Sequence, residues 1–381
     1  QEEEEESVLH TDRQGRRRMG ERVPIDGKTV CVTGANGFVA SELTRQLLEK
    51  GCTVRGTVRG VDDKEKMAHL IQLQEKFPGK LHLFEGDALI AGTFDKAFEG
   101  CEVIFHVASV IKPRPGQPDF IETVCKVADD TFASVEKHKQ TIKRIIVTCS
   151  FASISGFAPG EKPGGGRKLF NEEDRNSTST PDNAAFMYAR MLAEDKSWDY
   201  AKKLGVEMVS LHLTNVWGPP LSPLAGGLSV KFIKMLMDRS GRGMPYAVIH
   251  GDVRTVGEAH IAAAEVKKAA GQRYIISDTD IVPPKVVVDI VQKAFPEYEI
   301  TPPPCDMVET EPFLDNSKFQ RDLGVKPYPL EKTIVDMAKR VVELGVVDPI
   351  KKGEPPNPPA PMPYPGRPAK TARDLLWLPD V

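Results

Sequence analysis

The sequence has no Cys-x-x-Cys pair. Its six cysteines (Cys31, Cys52, Cys101, Cys125, Cys149 and Cys305) are scattered, and its eight histidines form no cluster with ligand spacing. Such a pattern excludes a disulfide framework and a zinc knuckle. Most of the cysteines fall inside apolar, strand-like runs, so we expect reduced core residues in a reducing compartment. Long hydrophobic runs are also missing. Stretches such as Ile145–Thr148 end after a handful of residues, far short of the roughly 20 that a bilayer span needs. Nor does either charge dominate: 51 Lys and Arg face 54 Asp and Glu, a formal charge of −3. Without a positive field, nucleic acid and anionic membranes are poor partners, despite Arg16, Arg17 and Arg18. The chain opens on Gln1 and carries no apolar signal segment. We expect a soluble, intracellular protein of the cytoplasm, or of a plastid or mitochondrion after removal of a transit peptide.

With 381 residues, 40% of them hydrophobic, the chain can bury a large core. Its ends differ from its middle. Residues 1–26 form a charged extension that begins with Glu2 to Glu6, and 349–381 form a proline-rich arm ending in Leu375, Leu376, Trp377 and Leu378. Proline at that density forbids a regular helix or central strand, so both ends read as tails or as arms that dock on a protein partner. Between them, strand-like runs alternate with helical spacing. Lys28–Val32, Thr53–Val58, Lys80–Phe84, Val103–Val107 and Arg144–Thr148 read as buried strands, and Ser41–Lys50 as a helix. The alternation predicts an α/β fold of Rossmann type, a doubly wound parallel sheet with helices on both faces. We assign 27–215 to the dinucleotide-binding core. Residues 216–348, irregular and rich in Gly and Pro, are assigned mainly to a smaller C-terminal substrate lobe, with some return to the core.

Directly after the first strand stand Gly34, Asn36, Gly37, Phe38, Val39 and Ala40, leading into the helix. Gly34 permits the tight turn, Gly37 admits a pyrophosphate, and Ala40 lets the helix pack on the strand. The glycines fall between strand and helix, where a dinucleotide fingerprint needs them. The second strand ends in Arg59 where an NAD binder usually carries Asp or Glu, and Lys64 and Lys66 follow. A guanidinium there suits a 2′-phosphate, so the cofactor expected is NADP(H).

From these segments the chain resembles the extended short-chain dehydrogenase/reductases, the epimerase/dehydratase type, and among them dihydroflavonol and cinnamoyl-CoA reductases. The resemblance covers roughly 27–348 and rests on VTGANGFVA (32–40), VRGTVR (54–59), FEGCEVIFHVAS (98–109), KRIIVTCS (143–150), VWGP (216–219) and the run from Asp252 to His260. It implies cofactor contacts at Gly34, Asn36, Gly37, Phe38, Val39, Arg59, Asp87 and Ala88, to which Lys64 is added as a point charge close to Arg59 in sequence. Further contacts are implied at Val107, Ala108, Ser109, Thr148, Arg190 and Val216. It also implies carbonyl or thioester reduction by hydride transfer, with Ser150 bonding the substrate oxygen.

One part of the family pattern is altered. Its chemistry uses Tyr-x-x-x-Lys on one helix, the tyrosine as proton donor and the lysine as ribose clamp. Counting back from Glu194 in the Leu-Ala-Glu run gives Arg190 in place of the lysine and Phe186 in place of the tyrosine. Tyr188 lies two residues on, about 200° around a helix. Leu213 stands where relatives carry a proline. Two readings follow. In one, the chain is an NADPH-dependent reductase with Ser150, Tyr188 and Arg190 as catalytic residues and a proton from water, Tyr188 or Cys149. In the other, it is a catalytically silent NADP(H)-binding subunit of a larger assembly, docked by its terminal extensions.

Overall fold

The computed structural model describes residues 21–110, 119–156, 158, 160–224, 227–240, 247–302 and 311–354. Both proposed docking arms lie largely outside these residues, as does Cys305. In chain order the first half runs β1 (Thr29–Val32), α1 (Phe38–Glu49), β2 (Thr53–Val58), α2 (Lys64–Lys76), β3 (Leu81–Glu85), α3 (Asp95–Phe98), β4 (Val103–His106), α4 (Phe120–His138), β5 (Arg144–Ser150) and α5 (Pro181–Leu204). The second half runs β6 (Glu207–Leu213), β7 (Asn215–Trp217), α6 (Leu228–Met237), β8 (Val248–Asp252), α7 (Val253–Glu265), β9 (Arg273–Ile276), β10 (Ile281–Val282), α8 (Pro284–Ala294), α9 (Ser317–Leu323) and α10 (Leu330–Glu343).

Seven strands form a parallel sheet in the order β3-β2-β1-β4-β5-β6-β9, the doubly wound α/β arrangement expected. Its strands are short, and the central ones, such as β1 and β4, are almost wholly buried, while the edge strand β3 keeps His82 and Glu85 exposed. One face packs under α1, α2, α7 and α9 through Leu43, Leu47, Met67, Leu70, Ala263 and Phe319. The other packs under α3, α4 and α5 through Phe94, Phe98, Phe132, Val135 and Ala201. A second core, built on Trp217, Phe232, Ile249, Val291, Met337 and Val341, joins α6, α8 and α10 to the small sheet β10-β8-β7. The last strand of the large sheet, β9, comes from chain beyond residue 215, so the second half returns to the core after entering the lobe.

Two cations, Arg144 buried and Arg273 half-buried, tie these layers together. Arg144, 7% exposed at the start of β5, donates to the carbonyls of Ala263, Ala264 and Val266 at 2.8–3.1 Å and pairs with Glu207 at 2.6 Å. A cation at the end of α7 satisfies carbonyls that the helix leaves open. Arg273 on β9 holds the buried Glu194 of α5 through two bonds of 2.8 and 2.9 Å, and His212 Nε2 lies 3.1 Å from the same carboxylate. The five described cysteines are free, with Cys31, Cys52 and Cys101 buried. No helix among the described residues is long and apolar enough to cross a membrane.

Candidate functional site

A cleft of about 710 Å³ opens at the carboxyl ends of β1, β2, β4 and β5, where the strand order reverses, and continues beneath the lobe. The β1–α1 turn forms its floor. Gly34 has φ +68°, and a Cβ there would meet the Ala108 Cα and Cβ at 3.3 Å, so the turn requires glycine. Ala35 N–H donates to the Thr57 carbonyl at 2.8 Å and Gly34 N–H to Thr57 Oγ1 at 3.1 Å, fixing the turn on β2. Gly56 keeps β2 bare behind it, since a Cβ there would fall 2.9 Å from the Ala35 Cβ. Gly37 caps α1 without any side-chain bond to the helix, so the first N–H groups face the cleft uncapped. A dinucleotide fits this cradle: close backbone approach is open, and a helix N-terminus points at the place for its pyrophosphate.

Arg59 lines the far end of the cleft, exposed and without a hydrogen-bond partner among the described residues. Its neighbour Arg55 is already used, donating to the Ala97 carbonyl at 3.0 Å with its guanidinium 4.4 Å over the Phe84 ring. The cleft also brings together Asn36, Phe38, Val39, Asp87, Ala88, Val107, Ala108, Ser109, Thr148, Ser150, Phe186 and Val216. Lys64 does not line it and stands exposed in the first turn of α2.

The register of α5 decides which groups reach the reacting end. Thr180 and Asn183 form a reciprocal capping box behind Pro181, and Gly205 closes the helix in the left-handed conformation. Farther along, Glu194 is 3% exposed and bound to Arg273 and His212. Burial alone would raise its pKa, but the neighbouring His212 and Arg273 hold the carboxyl well below the usual carboxylate range. With Glu194 pinned inward, Arg190 and Phe186 follow on the same face, one and two turns back. Phe186 lines the cleft and stacks on Phe120, with ring centroids 5.9 Å apart. Tyr188, on the opposite face, does not line the cleft.

Arg190 lies behind the main cleft, in a small cavity shared with Ser109, Thr148, Cys149 and Ser150. Its Cζ sits 4.7 Å over the Phe186 ring, Nη1 donates to Ser109 Oγ at 2.6 Å, and Nη2 donates to the Val110 carbonyl. Burial lowers its pKa to about 10, so it remains a cation at neutral pH. Ser150 closes β5. Its Oγ accepts the Ala152 N–H at 3.2 Å, which leaves the hydroxyl proton available to a ligand oxygen. Burial pushes the neighbouring Cys149 thiol well above its usual range, and the thiol does not line the main cleft.

The apolar end of the cleft was scarcely legible in the sequence. Phe151, Met187, Leu213, Trp217, Phe232 and Ile249 give it an apolar, aromatic wall. They come from six separate segments, each of which reads in isolation as ordinary core. Leu213, singled out for replacing a proline, is among them.

Residues 30–272 match the model of the NAD dependent epimerase/dehydratase family. Cinnamoyl-CoA reductase 2 of Arabidopsis thaliana is 32% identical over 327 residues, covering 84% of this chain and 94% of the relative. Cinnamoyl-CoA reductase 1 of Petunia hybrida is 33% identical over 345 residues, covering 87% and 97%. Among solved structures, yeast methylglyoxal/isovaleraldehyde reductase complexed with NADPH superimposes with a TM-score of 0.72 at 23% identity, covering 83% of this chain and 99% of that one. Vestitone reductase from alfalfa gives 0.65 at 26% identity, covering 84% and 100%. The chain belongs to the NAD dependent epimerase/dehydratase family, the extended branch of the short-chain dehydrogenases/reductases, with cinnamoyl-CoA reductases among its relatives.

Proposed function

We propose that the cleft binds NADP(H) beside a carbonyl or thioester compound with an apolar, aromatic body, and that the chain has lost the proton donor of its reductase relatives. The uncapped α1 terminus, the bare glycines and the unpartnered Arg59 support the dinucleotide, with Arg59 on the 2′-phosphate. The aromatic wall supports the class of second ligand. When bound, the dinucleotide would supply a hydride. Ser150 is placed to donate a hydrogen bond to the carbonyl oxygen that receives it.

The observation that carries the reading is Phe186. It lies on the cleft wall, at the position where the family resemblance implies a tyrosine, and it has no proton to give. Arg190 cannot replace it. A guanidinium that stays charged is a poor general acid, and this one is held on Ser109 and Val110. The chain then acts as a dinucleotide-binding reductase fold with little turnover, which suits a sensing or accessory role as well as a slow enzyme. The test is single-turnover oxidation of bound NADPH against a panel of apolar aldehydes and ketones. Slow or absent oxidation is expected. Ready turnover would mean that a rebuilt proton relay replaces the tyrosine.

A further inference from the structure

Three hydroxyls line both the cleft and the small cavity around Arg190: Ser109, Thr148 and Ser150. Their protein partners fix what each can offer a ligand. Ser109 Oγ accepts from Arg190, and Ser150 Oγ accepts from the Ala152 N–H, so both keep a proton to donate. Thr148 differs. Its Oγ1 lies 2.8 Å from His260 Nε2, while His260 Nδ1 lies 2.7 Å from the Val256 carbonyl. A carbonyl only accepts, so Nδ1 carries the imidazole proton. His260 is fully buried, and burial lowers its pKa to about 4, so the ring is neutral and Nε2 is a bare acceptor. The Thr148 proton is therefore spent on His260.

We infer that Thr148 and His260 form a polarised pair in which His260, as positioning residue, turns Thr148 into an acceptor-only oxygen for an N–H or O–H donor on the nicotinamide-ribose half of the dinucleotide. The inference rests on the NADP(H) reading above. Two donors and one acceptor at this end match a group offering both kinds of bond, such as a primary carboxamide or a ribose hydroxyl pair. An engaged imidazole forces the direction of the bond, so the threonine cannot rotate to donate instead.

The experiment measures dissociation constants of NADPH and of adenosine 2′,5′-bisphosphate, which lacks the nicotinamide half, for Thr148→Val, Thr148→Ser, His260→Leu and the Val/Leu double variant. Thr148→Val should weaken NADPH about five- to tenfold, the worth of one net hydrogen bond, and leave the bisphosphate unchanged. Thr148→Ser should bind like wild type. His260→Leu should weaken NADPH several-fold alone and add nothing to Thr148→Val. A 3-acetylpyridine analogue, without the amide N–H, assigns the donor. If Thr148→Val no longer matters for it, the donor is the carboxamide; if the loss persists, it is a ribose hydroxyl. Equal weakening of both ligands, or additive losses in the double variant, would overturn the inference by making the pair structural. Wild-type protein that binds neither ligand would overturn the dinucleotide reading itself.

Discussion

Phe186→Tyr places a phenol on the cleft wall under the Arg190 guanidinium. The Arg190 Cζ lies 4.7 Å from the ring centroid. A phenol oxygen about 2.8 Å out from that centroid would sit about 5.5 Å from the charge, an attraction of about 3 kcal/mol at an effective dielectric of roughly 20. That favours the phenolate by about two pKa units, from about 10 to about 8. The phenol would remain protonated at neutral pH yet become a better acid. A positioned general acid is worth about 10²–10⁴ in rate, so single-turnover NADPH oxidation by a responsive aldehyde should rise about 100-fold or more. The gain should fall away as pH rises through about 8, because the tyrosine must hold its proton to give it. Difference titration against wild type isolates the new phenol from the seven native tyrosines. Arg190→Lys in addition should release the hold on Ser109 and Val110 and raise the rate further. A phenol that titrates at about 10 or above, in a variant no faster than wild type, would refute the register and the electrostatics together.

Three further outcomes concern the scaffold. Burial raises the Asp278 carboxyl to about 7, and its Oδ1 has no hydrogen-bond partner while Oδ2 serves Asp252 N–H and Thr255. A folded pKa above the unfolded one gives stability that is full below about pH 4 and is lost as pH rises through about 7. Asp278→Asn should therefore be more stable than wild type by about 1–3 kcal/mol at about pH 8, measured by urea unfolding, with the difference shrinking toward acid. Glu194 has the opposite sign. Its depressed pKa gives stability that is present above the unfolded value and lost as pH falls through the folded one. Glu194→Gln should cost about 3–5 kcal/mol at neutral pH by leaving Arg273 uncompensated. Gly34→Val should abolish NADPH binding, because the turn is left-handed and the added atoms strike Ala108.

The core was legible because its strands are short runs rich in β-branched and apolar residues that alternate with helical spacing. Thr53–Val58 was read with the boundaries of β2, and Lys28–Val32, Lys80–Phe84 and Arg144–Thr148 overlap β1, β3 and β5 within two residues at either end. The nucleotide turn was legible because its glycines answer steric demands that leave a mark in sequence. Which residues return to the core was not legible, since the four-residue strand β9 carries no local sign of pairing with β6. The role of Glu194 in setting the α5 register depends on Arg273, 79 residues away. The Thr148–His260 bond likewise joins residues 112 positions apart. Lys64 and Tyr188 were chosen by nearness in sequence to Arg59 and Phe186, yet helix geometry turns neither into the cleft.

The most direct test of the central claim is a titration of wild type and Arg59→Ala with NADPH and NADH, followed by nicotinamide fluorescence. One bidentate, charge-assisted contact is worth about 1.5–3 kcal/mol, so wild type should prefer NADPH by about 10- to 150-fold. Arg59→Ala should bring the two affinities close together by weakening NADPH alone. Equal affinities in wild type, or a preference for NADPH that survives the loss of Arg59, would contradict the account.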